Sequence, residues 1–158
     1  MSIKINCSFV ALVASITIQS TAALAEVSVK NAWVRGTTPS QKASGAFMTI
    51  ISSETATLVA ATSPISGKVE LHEMQVDGAM MRMRRVENID LPANKSVELA
   101  PGGYHLMLTE LKHRLVEGKS VPLNLVIATQ DGRRREITVQ VPVAPITAET
   151  APAHHHHH

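Results

Sequence analysis

The segment Val69-Glu70-Leu71-His72-Glu73-Met74-Gln75-Val76 runs into Asp77-Gly78 and returns as Ala79-Met80-Met81-Arg82-Met83-Arg84-Arg85-Val86. Asp-Gly between two strand-like runs is a strong hairpin signal, because a two-residue type I′ turn needs positive φ at both central residues. With Asp77-Gly78 as the loop, His72 falls opposite Met83 and Met74 opposite Met81. Alternate strand residues share a face, so His72, Met74, Met81 and Met83 are expected on one side, with neighbouring Cβ atoms about 5 Å apart. Further on, Tyr104-His105-Leu106-Met107 follows Pro101-Gly102-Gly103, and His105 and Met107 also share a face.

Imidazole with thioether points to a soft ion. Thioether sulfur is uncharged and polarizable, a poor ligand for Zn²⁺, Mg²⁺ or Ca²⁺, whereas Cu(I) accepts both donor types. Laying the second strand beside the hairpin would complete a three- or four-coordinate Cu(I) site with two His and two Met. Thioethers have no proton to lose, so only the His would couple binding to pH, affinity falling near or below about pH 6.5. A Met in a strand is most often core filler and an isolated His a hydrogen-bonded residue. Several at mutually compatible positions are harder to assign to packing alone. Met74 and Met81 are expected to shield the site, with alternative ligation as the second option, and Met80 to point away.

The elements that must position these groups read as strands. Short runs rich in Val, Ile, Thr and Leu are separated by Gly, Pro, Asn and Asp clusters, and no segment sustains a helical apolar period. Nine strands are predicted: 27–34, 44–51, 57–62, 68–76, 79–86, 96–99, 105–108, 121–129 and 134–141. Strands this short and evenly spaced indicate an all-β sandwich or Greek-key barrel. Trp33 is expected in its core. Arg133-Arg134-Arg135 is read as a solvated hairpin end and His113 as a loop residue.

Composition narrows the class. The 158 residues carry a formal charge of +2, and seven Met and eight His stand beside one Cys and one Trp. Nucleic-acid binding would need an excess of cations or stacking aromatics, and a disulfide scaffold or thiolate zinc site would need more Cys. No nucleophile–base pair, phosphate loop or paired-carboxylate motif argues for an enzyme.

Residues 1–25 read as a cleaved signal peptide: Lys4, an apolar run from Cys7 to Ile18, then Ala23-Leu24-Ala25 before cleavage. That run is about 12 residues where a membrane span needs roughly 20, so no stable anchor is expected. Cys7 lies inside it without a small-residue context for lipidation, so a lipoprotein is not expected either. Residues 26–143 form the predicted domain, and 144–158 a flexible tail ending in the tract His154–His158. The tract reads as either a truncated purification tag or a native tail, and a native one would favour borderline ions such as Cu(II).

The spacing His72, ten residues, Met83, twenty-one residues, His105, one residue, Met107 resembles the H-x10-M-x21-H-x-M signature of the periplasmic copper chaperones known as PCu(A)C. The resemblance implies a cupredoxin-like β-sandwich holding one Cu(I) through His72, Met83, His105 and Met107. It further implies a monomeric periplasmic metallochaperone that supplies the binuclear copper centre of cytochrome c oxidase subunit II, directly or with a Sco-type thiol protein. The alternatives are a periplasmic copper buffer for resistance and a structural β-sandwich whose Met cluster is merely core.

Overall fold

The computed structural model describes residues 26–149, so the signal peptide, the end of the tail and the His tract lie outside the described residues. Within them the β-branched and apolar runs form ten strands: β1 (Val27–Arg35), β2 (Ala43–Ser52), β3 (Ala56–Thr62), β4 (Ser66–Asp77), β5 (Met80–Arg85), β6 (Ile89–Leu91), β7 (Ser96–Leu99), β8 (Tyr104–Leu111), β9 (Ser120–Thr129) and β10 (Arg134–Ala144). All nine predicted strands are present. The tenth, β6, is only three residues long and too short to show a period. It exists because Ile89 and Leu91 pair with β3 and bury both side chains.

The strands join in the order β5-β4-β8-β7-β2-β1-β10-β9-β3-β6. Neighbours are antiparallel except at β1–β10 and β7–β8. The open sheet folds over one core. Ile50 from β2, Leu71 from β4 and Leu106 and Leu108 from β8 share a single cluster with Leu58, Leu123, Leu125 and Ile127 from β3 and β9. Burying each such side chain stabilises the fold by about 1.5–3 kcal/mol, and with no Cys after residue 25 no disulfide supplements it. Among the described residues no helix is long and apolar enough to cross a membrane.

Two local features turn side chains onto the opposite, outer face. The β1–β2 register shifts between Lys30 and Trp33, and Asn31 there takes a left-handed φ of 51°. The extra residue reverses the alternation: Val29 packs toward the core, yet after the bulge Val34 does so and Trp33 turns outward. Trp33 is thus buried, as expected of a large aromatic, but in a second, small cluster with Phe47 and Ala144 rather than in the main core. From the segment expected to begin a free tail, Ala144 and Ala148 pack here, while Ile146, Thr147 and Glu149 are exposed. Ala144 is buried, Ala148 packs on the two rings, and Arg35 Nε donates to the Ala148 carbonyl at 3.1 Å.

Candidate metal centre

On β4 and β8, the core takes Leu71, Leu106 and Leu108, so Glu70, His72, Met74, His105 and Met107 share the outer face. The β4–β8 register sets His72 opposite His105 and Glu70 opposite Met107. The two imidazole centroids lie 5.7 Å apart, edge to face at 69°. Across β2, Gly45 pairs with Met107, and Phe47 brings its ring centroid to 6.1 Å from His105.

The hairpin departs from the predicted register. Asp77 pairs with Met80, leaving Gly78 and Ala79 as the loop, so His72 faces Arg85, Met74 faces Met83 and Val76 faces Met81. Only Gly78 of the pair has positive φ, at 64°, the pattern of a type II′ turn with glycine first. An Asp77-Gly78 loop would place an L-residue at positive φ, which costs about 1–2 kcal/mol; the observed turn gives that position to glycine. The shift is by two residues, so the faces are preserved. His72, Met74, Met81 and Met83 still project together, but Met83 stands opposite Met74 rather than His72.

Met74, Met83, His105 and Met107 line one cleft of about 190 Å³, together with Gly45, Phe47 and Arg35. His72 sits beside His105 but is not among the residues lining that cleft. The Arg35 guanidinium stacks over both Trp33 (5.9 Å) and Phe47 (5.6 Å), forming the far wall. A larger cleft of about 460 Å³, lined by Arg84, Asp90 and Tyr104 among others, has no imidazole or thioether.

The hydrogen bonds of the two imidazoles differ. His105 Nδ1 is 3.1 Å from the Gly103 carbonyl, which can only accept, so Nδ1 carries the proton and Nε2 keeps its lone pair. The same carbonyl accepts from Met74 N–H at 3.1 Å, tying the tautomer of His105 to the position of Met74. Burial holds the His105 pKa below its ordinary value, against the opposing pull of the Gly103 bond and with smaller help from His72 and Arg35. Both His72 nitrogens are buried without a hydrogen-bond partner among the described residues. The Glu70 carboxylate approaches one of them, with Oε2 at 3.5 Å from Nε2. Glu70 is held anionic, its pKa lowered chiefly by the hydrogen bond from Lys68. An orphaned buried N–H costs about 1–3 kcal/mol, and a ring nitrogen left without a partner beside soft donors has the form of a ligand atom.

Among the described residues no three His, Cys, Asp or Glu side chains converge as a metal site, so a centre here depends on thioethers. That donor set suits a soft monovalent ion. The residue pattern alone did not disclose Glu70, Gly45, Phe47 or Arg35 as parts of the site. The alternation Gly45-x-Phe47 carries the same two-residue period as His105-x-Met107, but only pairing of β2 with β8 joins them.

Compared with known proteins, residues 27–143 match the family model described as "Putative lipoprotein LpqE-like". A curated relative from Leifsonia xyli subsp. xyli, "Putative lipoprotein Lxx21020", is 32% identical over 116 residues, covering 73% of this chain and 69% of the relative. Among solved structures, a copper-bound PCuAC domain from PmoF2 superposes with a TM-score of 0.61 at 21% identity, over 75% of this chain and 92% of that one. The Deinococcus radiodurans protein DR1885 superposes in its apo form with a TM-score of 0.54 at 25% identity, over 91% and 97% of the two chains. Its Cu(I) form gives 0.52 at 29% identity, over 72% and 76%. The likeness to PCuAC domains bears out the all-β, cupredoxin-like fold.

Proposed function

We propose that this chain, which belongs to the LpqE-like lipoprotein family, is a Cu(I)-binding metallochaperone of the cell envelope that holds one ion through His72, His105, Met83 and Met107. One observation carries the proposal: two imidazoles and two thioethers are gathered on the outer face of the sheet, with both nitrogens of His72 unsatisfied. The copper-bound and Cu(I) neighbours support the choice of ion. The soft donor set supports it independently.

The outer face also separates carriage from packing. Among the described residues Met48 is the methionine in the main core, while Met83 is 48% exposed, so a partner's ligands can reach it. A structural module with a Met-rich core would have the reverse arrangement. Neutral thioethers bind without releasing protons, and bonds made through them are exchangeable. The cargo can therefore be handed on by substitution, one donor at a time.

Residues 1–25 act as a cleaved export signal, giving a periplasmic protein. The family's lipoprotein description supports export to the cell envelope and runs against the expectation that the chain is not a lipoprotein. The His tract serves as a separate station for Cu(II). The recipient is the binuclear copper centre of cytochrome c oxidase subunit II, reached directly or through a Sco-type protein.

Anaerobic titration with Cu(I) against a chromophoric chelator tests the binding. One tight equivalent is expected in the wild type and a marked loss in His72→Ala and Met83→Ala. Absence of binding by the wild type would overturn the proposal. Incubating the loaded protein with the soluble copper domain of subunit II tests delivery: transfer is expected, and retention of the ion would indicate a buffer instead.

A further inference from the structure

We infer that Met74 is a fifth donor of this site, an exchange ligand through which Cu(I) leaves. The inference rests on the copper reading above and names a residue outside its four-ligand set.

The observed register makes the case. On the outer face the side chains form a grid: Met83 beside Met74 in one row, then Arg85, His72 and His105, then Glu70 and Met107. Met83 is separated from His105 by the whole width of β4. Met74 lies on that intervening strand, directly opposite Met83 and one diagonal from His105. Directly opposed Cβ atoms are about 4.5–5.5 Å apart and diagonal neighbours about 7–8 Å, within reach of a long side chain. Met74 lines the cleft with Met83, His105 and Met107. Its N–H is held by the Gly103 carbonyl that also orients His105. Five donors thus surround an ion that takes three or four, and the surplus one sits between the buried imidazoles and the exposed edge strand.

A surplus thioether lowers the barrier to substitution because a new bond can form before an old one breaks. Met74 Sδ donates a lone pair to Cu(I) as His72 Nε2 withdraws its own. Charge and oxidation state are unchanged and no proton moves, since a thioether has none to lose. The ion is then held by Met74, Met83, His105 and Met107, and the exposed Met83 is the donor that an incoming ligand displaces next.

The test uses the whole mature protein with methionine methyl groups labelled with ¹³C, titrated anaerobically with Cu(I). The Met74, Met83 and Met107 methyl signals are expected to move together over the first equivalent, while that of Met80, on the other face of β5, stays in place. Met74→Leu keeps the apolar cover but removes the donor. It is expected to bind one Cu(I) and to release it several-fold more slowly to a chelator. A stationary Met74 methyl beside moving Met83 and Met107 signals, or an unchanged release rate in Met74→Leu, would overturn the inference while leaving the four-ligand site intact. If no methionine methyl responds, the copper reading itself falls and takes this inference with it.

Discussion

His72 and His105 stand directly opposite one another across β4 and β8, ring centroids 5.7 Å apart, and only His105 has a hydrogen-bonded ring nitrogen. The pair is therefore asymmetric without metal. The Gly103 carbonyl selects the tautomer of His105, whereas neither ring nitrogen of His72 is hydrogen-bonded and its Nε2 faces the Glu70 carboxylate at 3.5 Å. A ring fixed by a carbonyl on one nitrogen and free on the other is the usual arrangement of a metal-binding imidazole.

That asymmetry gives the two histidines opposite effects on copper-free stability. His72→Phe removes an orphaned buried polar group and is expected to leave stability unchanged or raise it by about 1 kcal/mol, whereas His105→Phe loses a hydrogen bond and costs about 0.5–1.5 kcal/mol. Urea unfolding of the two variants measures the difference. Both are expected to lose tight Cu(I) binding. Equal destabilisation would show that His72 is satisfied in solution.

The copper-free protein should lose stability in mild acid. Burial lowers the folded pKa of His105, while the unfolded chain takes up its proton near the ordinary value of about 6.5. The unfolded state therefore binds more protons as pH falls through that value. The contribution is fully present above about pH 6.5 and is lost as pH drops toward the folded pKa. NMR titration should find the His105 ring protonating below the usual range, and His105→Phe should flatten this part of the stability profile. A ring titrating at or above 6.5 would contradict the burial.

Gly45 keeps the wall of the cleft in place. A Cβ there would lie 2.8 Å from Phe47 Cζ, and that ring is already packed at 4.5 Å from Trp33. Gly45→Ala must displace Phe47, whose ring neighbours His105. It is expected to cost about 1–3 kcal/mol by overpacking and to weaken Cu(I) binding about tenfold, in the range seen when groups supporting a metal ligand are changed. Chelator competition and thermal unfolding check the two parts. Unchanged affinity would mean that Phe47 moves away without disturbing the ligands.

Gly78 sets the hairpin register. A Cβ at this position meets nothing within 4 Å, so the cost of Gly78→Ala is conformational alone, about 1–2 kcal/mol for an L-residue at positive φ. Faster amide exchange is expected in β4–β5, with β9–β10 unaffected. Loss of protection throughout the sheet would show that the hairpin is part of the global folding unit.

The two-residue period of strands made much of this protein legible from residues alone. It marked nine strands, the outward face shared by His72, Met74, Met81 and Met83, and the common face of His105 and Met107. Period is a local property, and a slip of two residues leaves every face unchanged. Local pattern therefore could not distinguish Met83 opposite His72 from Met83 opposite Met74. That choice came with the glycine-first turn at Gly78 and with long-range pairing of β4 to β8. The bulge at Asn31, the packing of Ala144 and Ala148 in the Trp33 cluster and the approach of Phe47 and Arg35 to His105 likewise needed tertiary structure. Each joins residues distant along the chain, and no spacing within one strand encodes which distant strand will lie beside it.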